Sequence, residues 1–186
     1  MIEQNQQLFD HAIAALQQGG VIAYPTEAVY GLGCDPFNET AVMQLLQIKR
    51  RAVTKGLILI AANWDQVAFL TQPLPAAVMV RIRATWPGPV TWVFPASTQV
   101  PPWIRGQHAT IALRITAHPI ASQLCRHYGK TIVSTSANRE GETPASDAET
   151  VKQLFGTELD FIVPGEVGGL VNPTEIRDVL SGKILR

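Results

Sequence analysis

Cysteine is nearly absent from this chain, with two in 186 residues. Cys34 and Cys125 make no C-x-x-C, so neither a zinc site nor a disulfide framework is suggested, and a reduced, cytoplasmic setting is expected. Charge of one sign is also missing. Fifteen basic and fifteen acidic residues cancel and the pI is 6.9, which leaves no global field to gather nucleic acid or an anionic membrane. Any anion binding must be local. No apolar run reaches the roughly 18 residues of a membrane span, and the start, MIEQNQQLFDH, has neither a charged n-region nor a long apolar core. Export and membrane insertion are not expected.

Several motifs are lacking too. There is no G-x-x-x-x-G-K-[ST], and Gly31-Leu32-Gly33 lacks the third glycine of a dinucleotide fingerprint. There is no G-x-S-x-G, and no histidine sits beside the serine-rich stretch in sequence. Repeats, low-complexity segments and linkers are absent as well.

What is present is a 46% hydrophobic chain, long enough for one core that would bury roughly 70% of its unfolded surface, and residues 1–186 read as a single domain. Residues 4–18 place Leu8, Ala12, Ala15 and Leu16 on one helical face, stopped by Gly19-Gly20. Residues 21–24 read as a strand, and Pro25 turns residues 26–33 into a loop. Asn38 caps a helix carrying Val42, Leu45 and Leu46 to about Ile48. A strand over 57–60, a short helix over 63–70 and a helix begun by Pro75 follow. The strand 90–94 leads into an irregular connection at Pro101-Pro102-Trp103.

His118-Pro119 starts a helix that Gly129 closes, and inside it Cys125 and His127 lie two apart, off a common face, which disfavours metal ligation. Ser146-x-x-Glu149 reads as a capping box, residues 160–163 as a strand, 165–169 as a flexible connection and 175–186 as a hairpin. About seven or eight strands and five helices predict an α/β (α+β) domain with a twisted mixed sheet.

Three stretches carry chemistry. In 131–138, TIVSTSAN, a β-branched run empties into Ser134, Thr135, Ser136 and Asn138, which suits either a helix cap or a ligand loop at a strand end. If that loop stays extended, Ser134, Ser136 and Asn138 aim one way and Thr135 and Ala137 the other. Four cations fall in seven residues at Lys49-Arg50-Arg51 and Lys55. Lys49 and Arg51 do not share a helical face, so they act together only if Arg51 lies in the turn beyond the helix. In 109–116, alternation sends Ile111, Leu113 and Ile115 one way and Thr110, Ala112, Arg114 and Thr116 the other, as on a solvated strand face or a binding face. Cations, hydroxyls and an amide at strand ends, without an evident buried acid/base pair, suit a polyanion whose charge must be stabilised.

Pro25-Thr26-Glu27 with Tyr30-Gly31-Leu32, Lys49-x-Arg51, Trp86-Pro87-Gly88-Pro89-Val90-Thr91, Arg114 with His118-Pro119, and Ser134-Thr135-Ser136-Ala137-Asn138 occur together in order. In this the chain resembles the YrdC/TsaC family of threonylcarbamoyl-adenylate synthases over nearly its whole length, in the compact bacterial form. The resemblance implies a YrdC-like fold and a reaction of L-threonine, bicarbonate and ATP, with Mg2+, giving threonylcarbamoyl-adenylate and pyrophosphate for tRNA modification. It implies that Lys49, Arg51, Ser136 and Asn138 meet the phosphates. Thr26, Arg114, Ser134 and Thr174 would meet threonine, with Thr110 and Arg186 on the nucleotide and no protein ligand named for the metal. Implied partners are downstream threonylcarbamoyl-transfer proteins. Ala28, Ala52, Lys55 and Ile60 depart from residues common in relatives and put those particular contacts in doubt. Two other readings stay open: a tRNA or double-stranded RNA platform, and the related carbamoyl-adenylate chemistry of hydrogenase maturation, which two isolated cysteines disfavour.

Overall fold

The computed structural model describes residues 2–186, and their side chains from residue 7 onward. In chain order the elements are α1 (Ile2–Gln17), β1 (Ile22–Pro25), β2 (Tyr30–Gly33), α2 (Glu39–Lys49), β3 (Ile58–Ala61), α3 (Ala76–Arg83) and β4 (Val90–Pro95). They continue with α4 (Pro102–Arg105), β5 (Thr110–Ile115), α5 (Pro119–Tyr128), β6 (Ile132–Ser136), α6 (Ala148–Phe155), β7 (Phe161–Ile162) and β8 (Glu175–Asp178). The eight strands form one sheet in the order β7-β1-β2-β6-β3-β5-β4-β8. Its β1/β7, β3/β5 and β4/β8 pairs are parallel and the rest antiparallel, the mixed sheet that the sequence predicts.

Alternation along the strands divides the core between the two faces. Ile22 and Tyr24 of β1 and Ile60 of β3 pack with Phe9, Ala12 and Leu16 of α1 and with Ala121, Leu124 and Cys125 of α5. Ala23, Leu59 and Ala61 face the larger cluster, with Val42, Leu45 and Leu46 of α2 and Trp92 and Phe94 of β4. The helices begin and end where local chemistry directs. Asn38 Oδ1 accepts from the Ala41 amide at 3.1 Å, and Gly129 closes α5 in the left-handed conformation.

Some expectations fail for physical reasons. Residues 30–33 are a strand, β2, where the sequence predicts only loop. Its glycines conceal it: a Cβ on Gly33 would lie 2.4 Å from the Val133 carbonyl oxygen, so close strand approach requires a residue of low β-propensity. The helix expected over 63–70 is two short 3-10 turns, and the irregular stretch at 101–103 instead enters α4. The cap of α6 is Asp147, not Ser146, because its carboxylate reaches both the amide and the hydroxyl of Thr150, at 2.7 and 2.8 Å. Residues 165–169 are strapped down: Tyr30 Oη donates to Gly165 O, and the Gly168 and Leu170 amides donate to the carbonyls of Thr26 and Glu27. His118 Nδ1 accepts from the Ala121 amide to cap α5, so its Nε2 carries the proton and donates to Glu166 O at 3.0 Å.

Candidate active site

One face of the sheet carries a cavity of about 630 Å3, within the range of sites for small ligands. Its floor is a row of register partners across four strands: Val93, Ala112, Ile58 and Ser134. The small side chains of Ala112 and Ser134 in that row, with Gly31 beside it, leave space. The walls hold Thr26 after β1, Arg51 and Lys55 after α2, Thr110 and Arg114 on β5, Ser136 at the end of β6, and Thr174 and Arg186 flanking β8. The alternation on β5 therefore sorts its residues as expected, with Thr110, Ala112 and Arg114 on the face that lines the cavity and Arg114 only 4% exposed.

Arg114 is held on several sides. Its Nη1 donates to the hydroxyls of Thr174 at 2.8 Å and Thr91 at 3.3 Å, and its Nη2 lies 3.5 Å from Glu27 Oε2. The Glu27 carboxylate is buried too and accepts from Thr116 Oγ1 at 2.6 Å. Glu27, Thr91 and Thr116 had no assigned role in the sequence reading. The signal available was that a buried guanidinium needs a buried counter-charge, and Pro25-Thr26-Glu27 supplies one. Thr26 closes its own turn by donating from Oγ1 to Val29 O at 2.7 Å.

The part of the site around Lys49, Arg51 and the loop after β6 is built by a different route from the expected one. Arg50 ends α2 in the left-handed conformation, φ 54 and ψ 41, so the chain turns and Arg51 emerges beyond the helix, as the spacing required. Arg51 lines the cavity and donates from Nη2 to Gly56 O at 3.0 Å, and burial lowers its pKa. Lys49 does not line the cavity. The residue is only 3% exposed, and its ammonium lies beneath the loop after β6 and donates to Ser136 O, to Asn138 O at 2.7 Å and to Asn138 Oδ1 at 3.4 Å. Burial, then the neighbouring Arg51, brings its pKa down to about 8, against the opposing pull of Glu140.

Nor does the loop stay extended. The Asn138 amide donates back to Ser136 O at 2.9 Å, a tight turn around buried Ala137, and Thr135 lines the cavity along with Ser134 and Ser136. Asn138 lies outside the lining: its Oδ1 accepts from Ser136 Oγ at 2.6 Å and its Nδ2 donates to Arg139 O and Glu142 O. Arg186 lines the cavity with Nη2 on Thr174 O at 3.3 Å. Its pKa is lowered by burial, then by Arg114 and Arg51. The guanidiniums of Arg51, Arg114 and Arg186 thus look into one space, among the hydroxyls of Thr26, Thr110, Ser134, Ser136 and Thr174.

The profile of the Sua5/YciO/YrdC family, described as telomere recombination, matches residues 14–186. The chain belongs to this family. A threonylcarbamoyl-AMP synthase of Coxiella burnetii is 54% identical over 180 residues, covering 97% of each chain. One from Halorhodospira halophila is 54% identical over 176 residues, covering 95% of this chain and 92% of that one. Among solved structures of the Sua5/YciO/YrdC family, P. abyssi Sua5 complexed with L-threonine is 30% identical with a TM-score of 0.90; the match covers 98% of this chain and 54% of that one, so this chain spans about half its length. E. coli YciO, 24% identical with a TM-score of 0.86 over 97% of this chain and 89% of its own, supports the fold alone.

Proposed function

We propose that this chain is a threonylcarbamoyl-AMP synthase, joining L-threonine, bicarbonate and ATP. The observation that carries the reading is a cavity that gathers three guanidiniums among hydroxyls, in a chain about half identical to synthases of that name along almost its full length. The threonine amine and bicarbonate give a carbamate with loss of water. A carbamate oxygen then forms a bond to the α-phosphorus of ATP as the bond to pyrophosphate breaks, so negative charge grows on the leaving group and no covalent enzyme intermediate is needed. Arg51 and Arg186 meet the triphosphate, with Thr110 and with Ser136 on the turn that Lys49 and Asn138 hold. Arg114, shaped for a carboxylate, takes threonine together with Thr26, Ser134 and Thr174.

No cluster of three or more His, Cys, Asp or Glu that could ligate a metal occurs among the described residues. Magnesium enters with the substrate, held by phosphate oxygens and water as it commonly is, and no protein ligand is named for it. The adenylate passes to threonylcarbamoyl-transfer proteins that modify tRNA. An RNA platform is less well supported, because Lys49 and Arg114 are buried and Arg51 is turned into the cavity. No helix among the described residues is long and apolar enough to cross a membrane.

Pyrophosphate release from ATP and bicarbonate is expected to require L-threonine; turnover that ignores threonine overturns the reading. Arg51→Ala is expected to lower turnover on the order of a hundredfold. Arg114→Ala is expected to raise the threonine KM more than that of ATP, and equal effects would contradict its carboxylate role.

A further inference from the structure

Lys55 ends a 3-10 turn, Val53–Lys55, beyond the K-x-R segment, and its side chain is part of the cavity lining. Its ammonium is ion-paired with the carboxylate of Glu140, on the loop that follows β6; the two side chains are 47% and 46% exposed. Glu140 is anchored there through its backbone, whose amide donates to Lys49 O at 3.0 Å. The pair therefore spans the two halves of the anion site. Lys55 holds the Glu140 carboxyl below its usual range, with further help from Arg51 and Lys49. A carboxylate lies where the positive charge of these three side chains overlaps, while Arg51 and Arg186 have backbone carbonyls as their hydrogen-bond partners.

We propose that Lys55 is a further substrate-binding cation, taking the outer phosphates of the nucleoside triphosphate, and that Glu140 is its resting counter-ion, displaced when the triphosphate arrives. This rests on the assignment of the cavity to ATP. A half-exposed ion pair is weak, so exchanging a single carboxylate for the more highly charged end of a triphosphate is favourable. The exchange keeps the cation oriented while the site is empty, and it makes the outer phosphates the part of the ligand that Glu140 opposes.

The test is calorimetric titration of ATP with magnesium, without threonine or bicarbonate, at about pH 6.5, below the Lys49 transition near 8. Glu140→Gln is expected to tighten ATP binding about 2- to 5-fold, and Lys55→Gln to weaken it about 10-fold. The double variant is expected to match Lys55→Gln, and AMP, which lacks the outer phosphates, to be insensitive to both. Unchanged or weaker ATP binding in Glu140→Gln overturns the proposal, as does an equal gain in the Lys55→Gln background or with AMP. If these shifts appear while pyrophosphate release ignores threonine, the counter-ion exchange stands and the synthase reading falls. Threonine-dependent turnover with unaltered binding in Glu140→Gln gives the reverse.

Discussion

Raising the pH through about 8 is expected to weaken nucleotide binding by discharging Lys49. The ammonium directs its N–H groups at three acceptors, Ser136 O, Asn138 O and Asn138 Oδ1. A neutral amine has only two to offer. The drop from 10.5 to about 8 corresponds to roughly 3 kcal/mol against the charged form, chiefly from burial. Once the proton is gone, the carbonyls of Ser136 and Asn138 converge on an uncharged nitrogen, and the turn that sets Ser136 loses its cation. ATP affinity measured without threonine or bicarbonate, free of those substrates' own titrations, is expected to be flat below the transition and to fall by up to about tenfold per pH unit above it. Arg51→Gln removes a neighbouring positive charge, so the transition should move to higher pH; Glu140→Gln removes the opposing negative charge and should move it lower. An affinity that is level through the transition region, or a transition that ignores both substitutions, refutes the reasoning. Folding stability carries the opposite sign. Between about 8 and 10.5 the unfolded chain holds the Lys49 proton and the folded chain does not, so this residue's contribution to stability increases as pH rises across that window.

Glu27→Ala strands a buried guanidinium and is expected to cost about 3–5 kcal/mol in urea unfolding, whereas Glu27→Gln costs less because its amide oxygen can face Arg114 and its NH2 can face Thr116. A wild-type midpoint for Glu27→Ala would show that the pair is not electrostatically coupled. Arg50→Gly relieves a left-handed non-glycine residue at the end of α2 and is expected to add about 0.5–1 kcal/mol, a Tm gain of about 1–4 °C, with no such gain for Arg50→Ala. Equal melting temperatures for the two variants would mean that the backbone conformation carries no such cost.

The sequence pattern disclosed what depends on nearest neighbours. Asn38, Pro119 and Gly129 mark helix ends through local hydrogen bonding and backbone preference, and all three stand where they were expected. The alternation of β5 likewise put Thr110 and Arg114 on one face. β2 stayed hidden because its strand character comes from partners on both sides, β1 and β6, and not from its own glycine-rich residues. Lys49 was read as a phosphate ligand because its charge and spacing are visible while its burial is not. Its acceptors lie almost ninety positions away on a loop whose reversal no local pattern announces. Glu27 was legible only as one letter of a motif, since its meaning comes from Arg114 and Thr116 on a distant strand.

The cavity draws its walls from β2, β3, β4, β5, β6 and β8, the greater part of the sheet. No fragment of the fold can hold the ligand, so occupancy is tied to the global unfolding equilibrium and not to a local opening. A nucleotide at a hundred times its Kd would add about 2.7 kcal/mol to that equilibrium. Melting temperature then becomes a readout of ligand recognition, sensitive to compounds that bind without turning over. A substitution that weakens a remote helix would lower the amount of competent protein while leaving the affinity of each folded molecule unchanged.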